Sequence, residues 1–309
     1  MKKLSALVFA ASLIALFFIS CNKEGVYKPK EKISKIYYEH SYKVYSGGEL
    51  VSENSSTKSL EEIWHWKGKK LTQIENGDWP LNFVYKGNQL EKIESGEMVI
   101  EFTYDKSLLE KIEVIYDDKT QISIKIDARN DKKITRMTYQ YYDYDELKSL
   151  KDNDITNNSI AISPNKIESI MALVLPNDFS KFLAKNLAKK KRKATEVETH
   201  IIELTYDGNN ITEQKWTDED GDSETYVFTY DNKKNPYYKS FHNVSEDGVF
   251  IQSENNIVTM YDKHDSEDIT KYEYKYNGDF PTQRIERYSY GDDDWYRYEY
   301  SNIYYYEYE

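Results

Sequence analysis

The chain has 309 residues, with 54 acidic side chains against 42 basic ones, a formal net charge of −12 and 1 cysteine. An acidic balance of that size lacks the basic footprint that phosphate neutralisation requires, which excludes nucleic acid as a partner. A lone cysteine excludes an internal disulfide and a cysteine-based metal site.

Met1, Lys2 and Lys3 precede an apolar run from Leu4 to Ile19, which ends in Ser20 and Cys21. This is the pattern of a lipoprotein signal, with residues 1–20 removed and Cys21 as the lipidation site. Removal takes away two lysines and no acid, so the formal charge moves from −12 to −14. Beyond Ile19 no apolar run approaches the roughly 18 to 20 residues needed to span a bilayer. Attachment to the membrane therefore rests on the lipid, and residues 21–32 read as its polar tether. The expected location is the bacterial envelope, as an outer-membrane lipoprotein on either the surface or the periplasmic face.

From residue 33 to 309 the chain reads as one repetitive β-domain. Trp64, Trp66, Leu71, Ile74 and Glu75 recur nineteen residues later as Phe83, Tyr85, Leu90, Ile93 and Glu94, and again as Phe102, Tyr104, Leu109, Ile112 and Glu113. Weaker copies start at Leu204, Phe228 and Tyr274. A unit this short cannot bury its own apolar face. The paired aromatics sit two apart, as on one face of a strand, and Gly68, Gly87, Gly208 and Gly278 follow them as hairpin turns. The Leu-x-x-Ile spacing does not keep both residues on one face, so either the leucine belongs to the turn or a bulge intervenes. Turn signals give roughly sixteen to eighteen strands. The fold class is all-β, a large curved antiparallel meander of repeated hairpins, open or closed as a barrel, because so wide a sheet curls.

Two features interrupt the hairpins. Over 145–195 a small helical insert is expected: Pro164 opens one helix, with Ile167, Ile170, Met171 and Val174 at helical spacing, and Phe179, Phe182, Leu183 and Leu187 form the stripe of a second. The lysine run that closes it reads as a solvated helix end. Asp218, Glu219, Asp220, Gly221, Asp222 and Glu224 gather oxygen ligands of the kind calcium uses, but Thr229 stands where a closing glutamate would. The simpler reading is a hairpin turn at Asp220 and Gly221, and no metal or other cofactor is expected.

The pairs Tyr104-Asp105, Tyr206-Asp207 and Tyr230-Asp231 resemble the tyrosine-aspartate repeat proteins, although no arginine follows the turn as it tends to there. The lipidated N-terminus, the serial aromatic-turn-Leu-x-x-Ile hairpins and the interruption around Phe182 to Leu187 resemble more closely the Bacteroidetes lipoproteins of unknown function described as porin-like in fold. That resemblance implies a β-meander curling toward a barrel and brings no active site with it.

A membrane-spanning barrel needs an apolar outer band. Here Tyr272, Tyr274 and Tyr276 alternate with Lys271, Glu273 and Lys275, and Tyr296, Tyr298 and Tyr300 with Arg297 and Glu299, so neither face of these strands suits lipid. His40, His65, His200, His242 and His264 are scattered, with no metalloprotease, nucleophile-elbow or phosphate-loop pattern. An enzyme is not expected. With 30 tyrosines and 5 tryptophans, the aromatics first suggest sheet core. Trp64, Trp66, Trp79, Trp216 and Trp295 are the candidates for an exposed ligand platform. The expected function is a non-catalytic envelope lipoprotein that acts as a binding or scaffold module for a glycan, a peptide or an envelope protein. The alternatives are a purely structural envelope protein and a carbohydrate-active enzyme.

Overall fold

A computed structural model describes residues 24–77, 80–142, 197–240, 253–291 and 296–309. The signal peptide, Cys21 and the helical insert expected over 145–195 lie outside these residues. β1 (Ile33–Ser46) turns into β2 (Glu49–Ser55), and the chain continues past a break as β3 (Ser59–Lys67). It then runs through β4 (Lys70–Glu75), β5 (Leu81–Lys86), β6 (Gln89–Ser95), β7 (Met98–Asp105), β8 (Leu108–Tyr116), β9 (Lys119–Asn130) and β10 (Lys133–Tyr142). The second half is β11 (Val197–Asp207), β12 (Asn210–Thr217), β13 (Ser223–Lys234), β14 (Asn255–Asp262), β15 (Asp265–Asn277), β16 (Phe280–Gly291) and β17 (Tyr296–Tyr308).

Pairing is antiparallel throughout, and β17 runs against β1 from Tyr308 opposite Ile33 to Tyr296 opposite Ser46, which closes the sheet. β2 and β3 pair with successive halves of β1 and share one position, so the 17 strands make a closed barrel of 16. The break between them stays attached to β1, since Ser56 N donates to His40 O at 2.8 Å and His40 N to Ser56 Oγ at 2.8 Å. Alternate turns lie at opposite ends. The entry end holds the start of β1 and the turns at Gly68, Gly87, Lys106, Asp131, Gly208 and Gly278; the far end holds those at Gly48, Gly96, Asp117 and Gly221.

A bulge settles the Leu-x-x-Ile spacing. Trp66 faces Leu71 but His65 faces Gln73; Tyr85 faces Leu90 but Val84 faces Lys92; Tyr104 faces Leu109 but Thr103 faces Lys111. The extra residue turns the strand by one position, so Leu71 and Ile74 both point inward, with exposures of 1% and 0%. The same shift occurs at Tyr206 and Tyr276.

Between one hairpin and the next, the ladders stop short of the entry end, and β4 meets β5 only at Gln73 with Asn82 and Ile74 with Leu81. An aromatic of the repeat spans the gap, the second of the pair in most copies and the first in the copy that starts at Tyr274. The Tyr85 hydroxyl donates to Leu71 O at 2.8 Å, Tyr206 to Ile134 O at 2.9 Å, Tyr274 to Ile257 O at 2.8 Å and Tyr308 to Pro281 O at 2.7 Å. Tyr230 does the same to Ile211 O, and Trp66 Nε1 reaches Ile33 O at 2.7 Å. At the one gap where β9 supplies no tyrosine, Arg129 Nη2 donates to Leu109 O at 2.5 Å. These backbone carbonyls thus obtain donors, whereas the hydroxyl of Tyr104, the second aromatic of the third copy, lies against Gly25 without a hydrogen-bond partner among the described residues.

The inner face of β4 to β14 is apolar and packed, a mixture of aliphatic and aromatic side chains with Ile74, Ile93, Ile122 and Ile257 at 0–1% exposure. The outer face carries cross-strand and neighbouring charge pairs such as Lys35 with Glu307, Lys43 with Glu53, Lys111 with Glu113 and Arg287 with Glu273. Each such pair contributes little to stability. Together they leave no continuous apolar belt on the described outer wall, and the large exposed apolar side chains there are scattered at Leu50, Val51, Leu60, Val197 and Tyr296.

The stretch read as a tether is part of the fold from Glu24 onward. Arg129 holds the Glu24 carboxylate through two hydrogen bonds of 2.7 and 2.9 Å, and Leu109 N donates to it at 2.5 Å. Gly25, at φ 72°, passes so close to Tyr104 that no Cβ would fit. Tyr27 is buried against Trp66 and donates to Pro236 O at 2.5 Å. Polar composition pointed to a free segment; one buried tyrosine and one bidentate ion pair anchor it instead.

If the tyrosine hydroxyls stabilise the gaps between hairpins, Tyr274→Phe removes the donor to Ile257 O while keeping the ring. The expected loss is about 1 to 3 kcal/mol, the cost of a buried acceptor left unsatisfied, read from reversible urea unfolding. A loss below about 0.3 kcal/mol would mean that water replaces the hydroxyl.

Candidate functional site

The inner wall changes character over β15, β16, β17 and β1. Near the entry end it is sealed: Tyr272, Tyr306 and Arg284 are buried, and the Arg284 guanidinium lies 4.1 Å from the Tyr304 ring centroid. Burial first, tempered by Arg284, raises the pKa of Tyr274 and of Tyr237 well above the ordinary value of 10. Toward the far end the same wall opens. Tyr38 is half-buried, stacks on His40 at 6.0 Å and donates to Asn302 Oδ1 at 2.8 Å. One step further, Tyr42, Tyr300 and Tyr288 form a row across three strands, with ring centroids 6.1 and 5.0 Å apart and interplanar angles of 29° and 4°.

These rings stack on one another, so the ring faces turned toward each other are taken up within the row and both faces of Tyr300 are covered. Its origin is the alternation of β17 combined with closure: Tyr300 lies opposite Tyr42 on one side and opposite Tyr288 on the other.

Beside the row stands β2. Its seven residues Glu49–Ser55 are exposed on both faces, and their pairing is with β1 alone. Among the described strands no ladder engages the other edge of β2, because β4, the neighbour of β3, ends at Glu75. The edge carries Leu50 and Val51, at 49% and 57% exposure, between Glu49 and Glu53. A free row of backbone donors and acceptors is a template for another strand.

The three described tryptophans do not assemble into one platform. Trp64, at 3% exposure, is inside, donates to Glu62 Oε2 at 2.7 Å and stacks near Trp66 at 6.2 Å. Trp216, at 5% exposure, packs edge-on to Tyr139 on another part of the wall. Inward-facing positions of the hairpin repeat explain both placements, since the aromatic pairs with an inward Ile or Leu. Trp79 and Trp295 lie outside the described residues. The acidic stretch from Asp218 to Asp222 closes as a turn on itself: Asp222 N donates to Asp218 Oδ1 at 2.9 Å, and Asp218 N to Asp222 O at 3.0 Å. No group of three His, Cys, Asp or Glu side chains among the described residues is placed to hold a metal ion.

No protein-family model and no curated protein sequence matches the chain. Among solved structures it is similar to a porin-like protein from Bacteroides uniformis ATCC 8492, at 12% identity and a TM-score of 0.48 over 93% of this chain and 100% of that one. A porin-like protein from Bacteroides vulgatus ATCC 8482 matches at 10% identity and a TM-score of 0.45, over 91% and 99%.

The buried tyrosines set the alkaline limit of the fold. Burial pushes the Tyr85 hydroxyl up to about 12, and it raises Tyr139 and Tyr237 well above 10. With folded pKa values above the unfolded one, this stability is fully present below pH 10 and is lost as pH rises beyond it. Tyr139 and Tyr237 together give a slope of about 2.7 kcal/mol per pH unit, set against a total of about 5 to 15 kcal/mol for a domain. Cooperative unfolding is therefore expected between about pH 10 and pH 12, with circular dichroism and phenolate absorbance changing together. Gradual phenolate formation in a fold that persists throughout this range would contradict the burial of these rings.

Proposed function

We propose that the protein is a non-catalytic, lipid-anchored module of the bacterial envelope that binds an extended segment of a partner protein along β2. The observation that carries this reading is the edge of Glu49–Ser55 that no described strand pairs, in a barrel otherwise closed by its own ladders. Addition of a strand supplies main-chain hydrogen bonds, and alternate side chains of the guest then meet Leu50 and Val51 or the tyrosine row. A glycan is supported less well, because the ring faces turned toward each other are taken up within the row and both faces of Tyr300 are covered. Pairing with a second copy of β2 would bring Glu49 and Glu53 of both copies together, so a basic guest segment fits better than the chain itself.

The envelope location rests on the lipoprotein signal and Cys21, with an outer wall whose charge suits water and not lipid. The side of the membrane is left open by these features. Metabolic labelling with a fatty-acid analogue tests the anchor: label should follow the protein and vanish in Cys21→Ala. A mutant that still takes up label would refute it.

The strand-addition reading predicts that Val51→Pro, at the one residue of β2 without a partner in the β1 ladder, weakens binding to immobilised extended basic peptides at least tenfold. Stability should change by no more than about 0.5 kcal/mol, as at other exposed positions. Amide exchange over 49–55 should slow in the wild type when peptide is bound. Peptides that bind Val51→Pro as well as wild type would place the site elsewhere.

A further inference from the structure

Because turns alternate between the two ends, their charges can be compared end against end. At the entry end Lys69, Lys86, Lys106 and Lys132 occupy turn tips, and Lys28 and Lys30 lie on the docked N-terminal segment; all six are exposed. None of the six makes an ion pair with a described residue. Described acids at that end are largely engaged: Glu24 by Arg129, Glu254 by Lys234, Glu309 by Lys32 and Asp279 by Lys233, leaving Glu31, Asp105, Asp131, Asp207 and the Tyr276-bonded Asp231 as the counterweight among the described residues. The rim is also tied laterally. Lys70 donates to Gly87 O and Lys133 to Gly208 O, and Lys233 to Gly278 O at 3.0 Å, so the turns at Gly87, Gly208 and Gly278 are each held from the neighbouring strand. At the far end the described turns carry Asp117 and Asp118, and Asp218, Glu219, Asp220 and Asp222, while Lys263 there is paired with Glu213.

The strands keep these two sets apart. β9, at 12 residues, spans about 40 Å at about 3.3 Å per residue, or about 30 Å of barrel height at the usual strand tilt. A Debye length of about 8 Å means that a charged surface touching one end does not sense the other. The net negative charge of the whole chain is thus no obstacle to an anionic surface at the entry end.

The second, independent observation is the position of the N-terminus. Glu24 is pinned to Arg129 and Leu109 beside the Lys106 turn, and only Asn22 and Lys23 separate it from Cys21. The three Cα steps from Cys21 to Glu24 reach no more than about 11 Å when fully extended.

From the basic rim and the pinned N-terminus, we infer that the entry end is a docking surface for an anionic lipid bilayer, held against it with the far end and β2 directed away. The proximity part of this inference rests on the lipid anchor at Cys21 proposed above; the charge part does not. Lysines near an anionic surface each contribute about 1 kcal/mol, or about fivefold in partition.

The sole cysteine permits a test that is independent of acylation in cells. The chain from Cys21 to Glu309 is coupled through that thiol to maleimide lipid, in vesicles of phosphatidylcholine alone or with phosphatidylglycerol added. Hydrogen exchange is then followed by mass spectrometry. Peptides covering 67–70, 105–108 and 130–133 should gain protection on the anionic vesicles over the neutral ones, while those covering 117–119 and 218–222 should not change. High salt should abolish the difference, as should the combined change Lys69→Gln, Lys86→Gln, Lys106→Gln and Lys132→Gln. Equal protection on neutral vesicles, protection at the far end, or full protection in the four-site variant would each overturn the docking surface. Because the anchor is chemical, none of these results depends on whether Cys21 is acylated in cells.

Discussion

The barrel depends on how it handles the backbone carbonyls near its entry end. A bulge after each turn brings both Leu71 and Ile74, and likewise Leu90 and Ile93, onto the inner wall, but the ladder to the next hairpin ends before it reaches the bulged region. An unpaired carbonyl beside an apolar core costs about 1 to 3 kcal/mol. The hydroxyls of Tyr85, Tyr206, Tyr274 and Tyr308 each meet one of these groups, as does the indole N–H of Trp66. A phenylalanine would fill the same volume and leave the carbonyl unpaired. This gives a physical reason for a repeat built on tyrosine: its ring belongs to the core and its polar tip joins one hairpin to the next.

The same device makes the barrel a packed body and sets the character of its two walls. In a membrane-spanning barrel the outside is apolar and the lumen wet. Here the order is reversed, with Ile93, Ile122 and Ile257 inside and rows of lysine and glutamate outside. Sixteen strands would enclose a wide lumen in a regular cylinder, so the buried state of this inner wall requires material within. Tyr27 and Tyr237 supply part of it: Tyr27 reaches Pro236, and Tyr237 packs against both Trp64 and Tyr306.

The local grammar of the sequence carried much of this. Aromatic pairs two apart marked strands, glycines marked turns, and the Leu-x-x-Ile misfit already allowed a bulge. What sequence spacing could not supply was non-local. Tyr38 meets Asn302 across 264 positions, and that closure creates the row of Tyr42, Tyr300 and Tyr288. Trp64 and Trp216 are buried and not on the surface because residue type does not reveal which face of a strand is inward; register does, and register places Trp64 opposite Ile74. The tether misled for a related reason, since a run of lysines and glutamate conceals the one residue, Tyr27, that has a buried seat.

Closure also explains why an open edge exists at all. β1 has 14 residues and β17 has 13, whereas β4 and β5 have 6 each. A long strand beside short ones must overhang, and the overhang of β1 is paired by β17 on one side and by β2 on the other. β2 then has nothing beyond it among the described strands, because β4 is too short to follow. Its acidic residues Glu49 and Glu53 hinder pairing with a like edge while leaving the backbone accessible, which is how natural edges restrict their partners without being covered. The unpaired edge is therefore a consequence of unequal strand length within a closed barrel, and it lies at the end opposite the docked N-terminus.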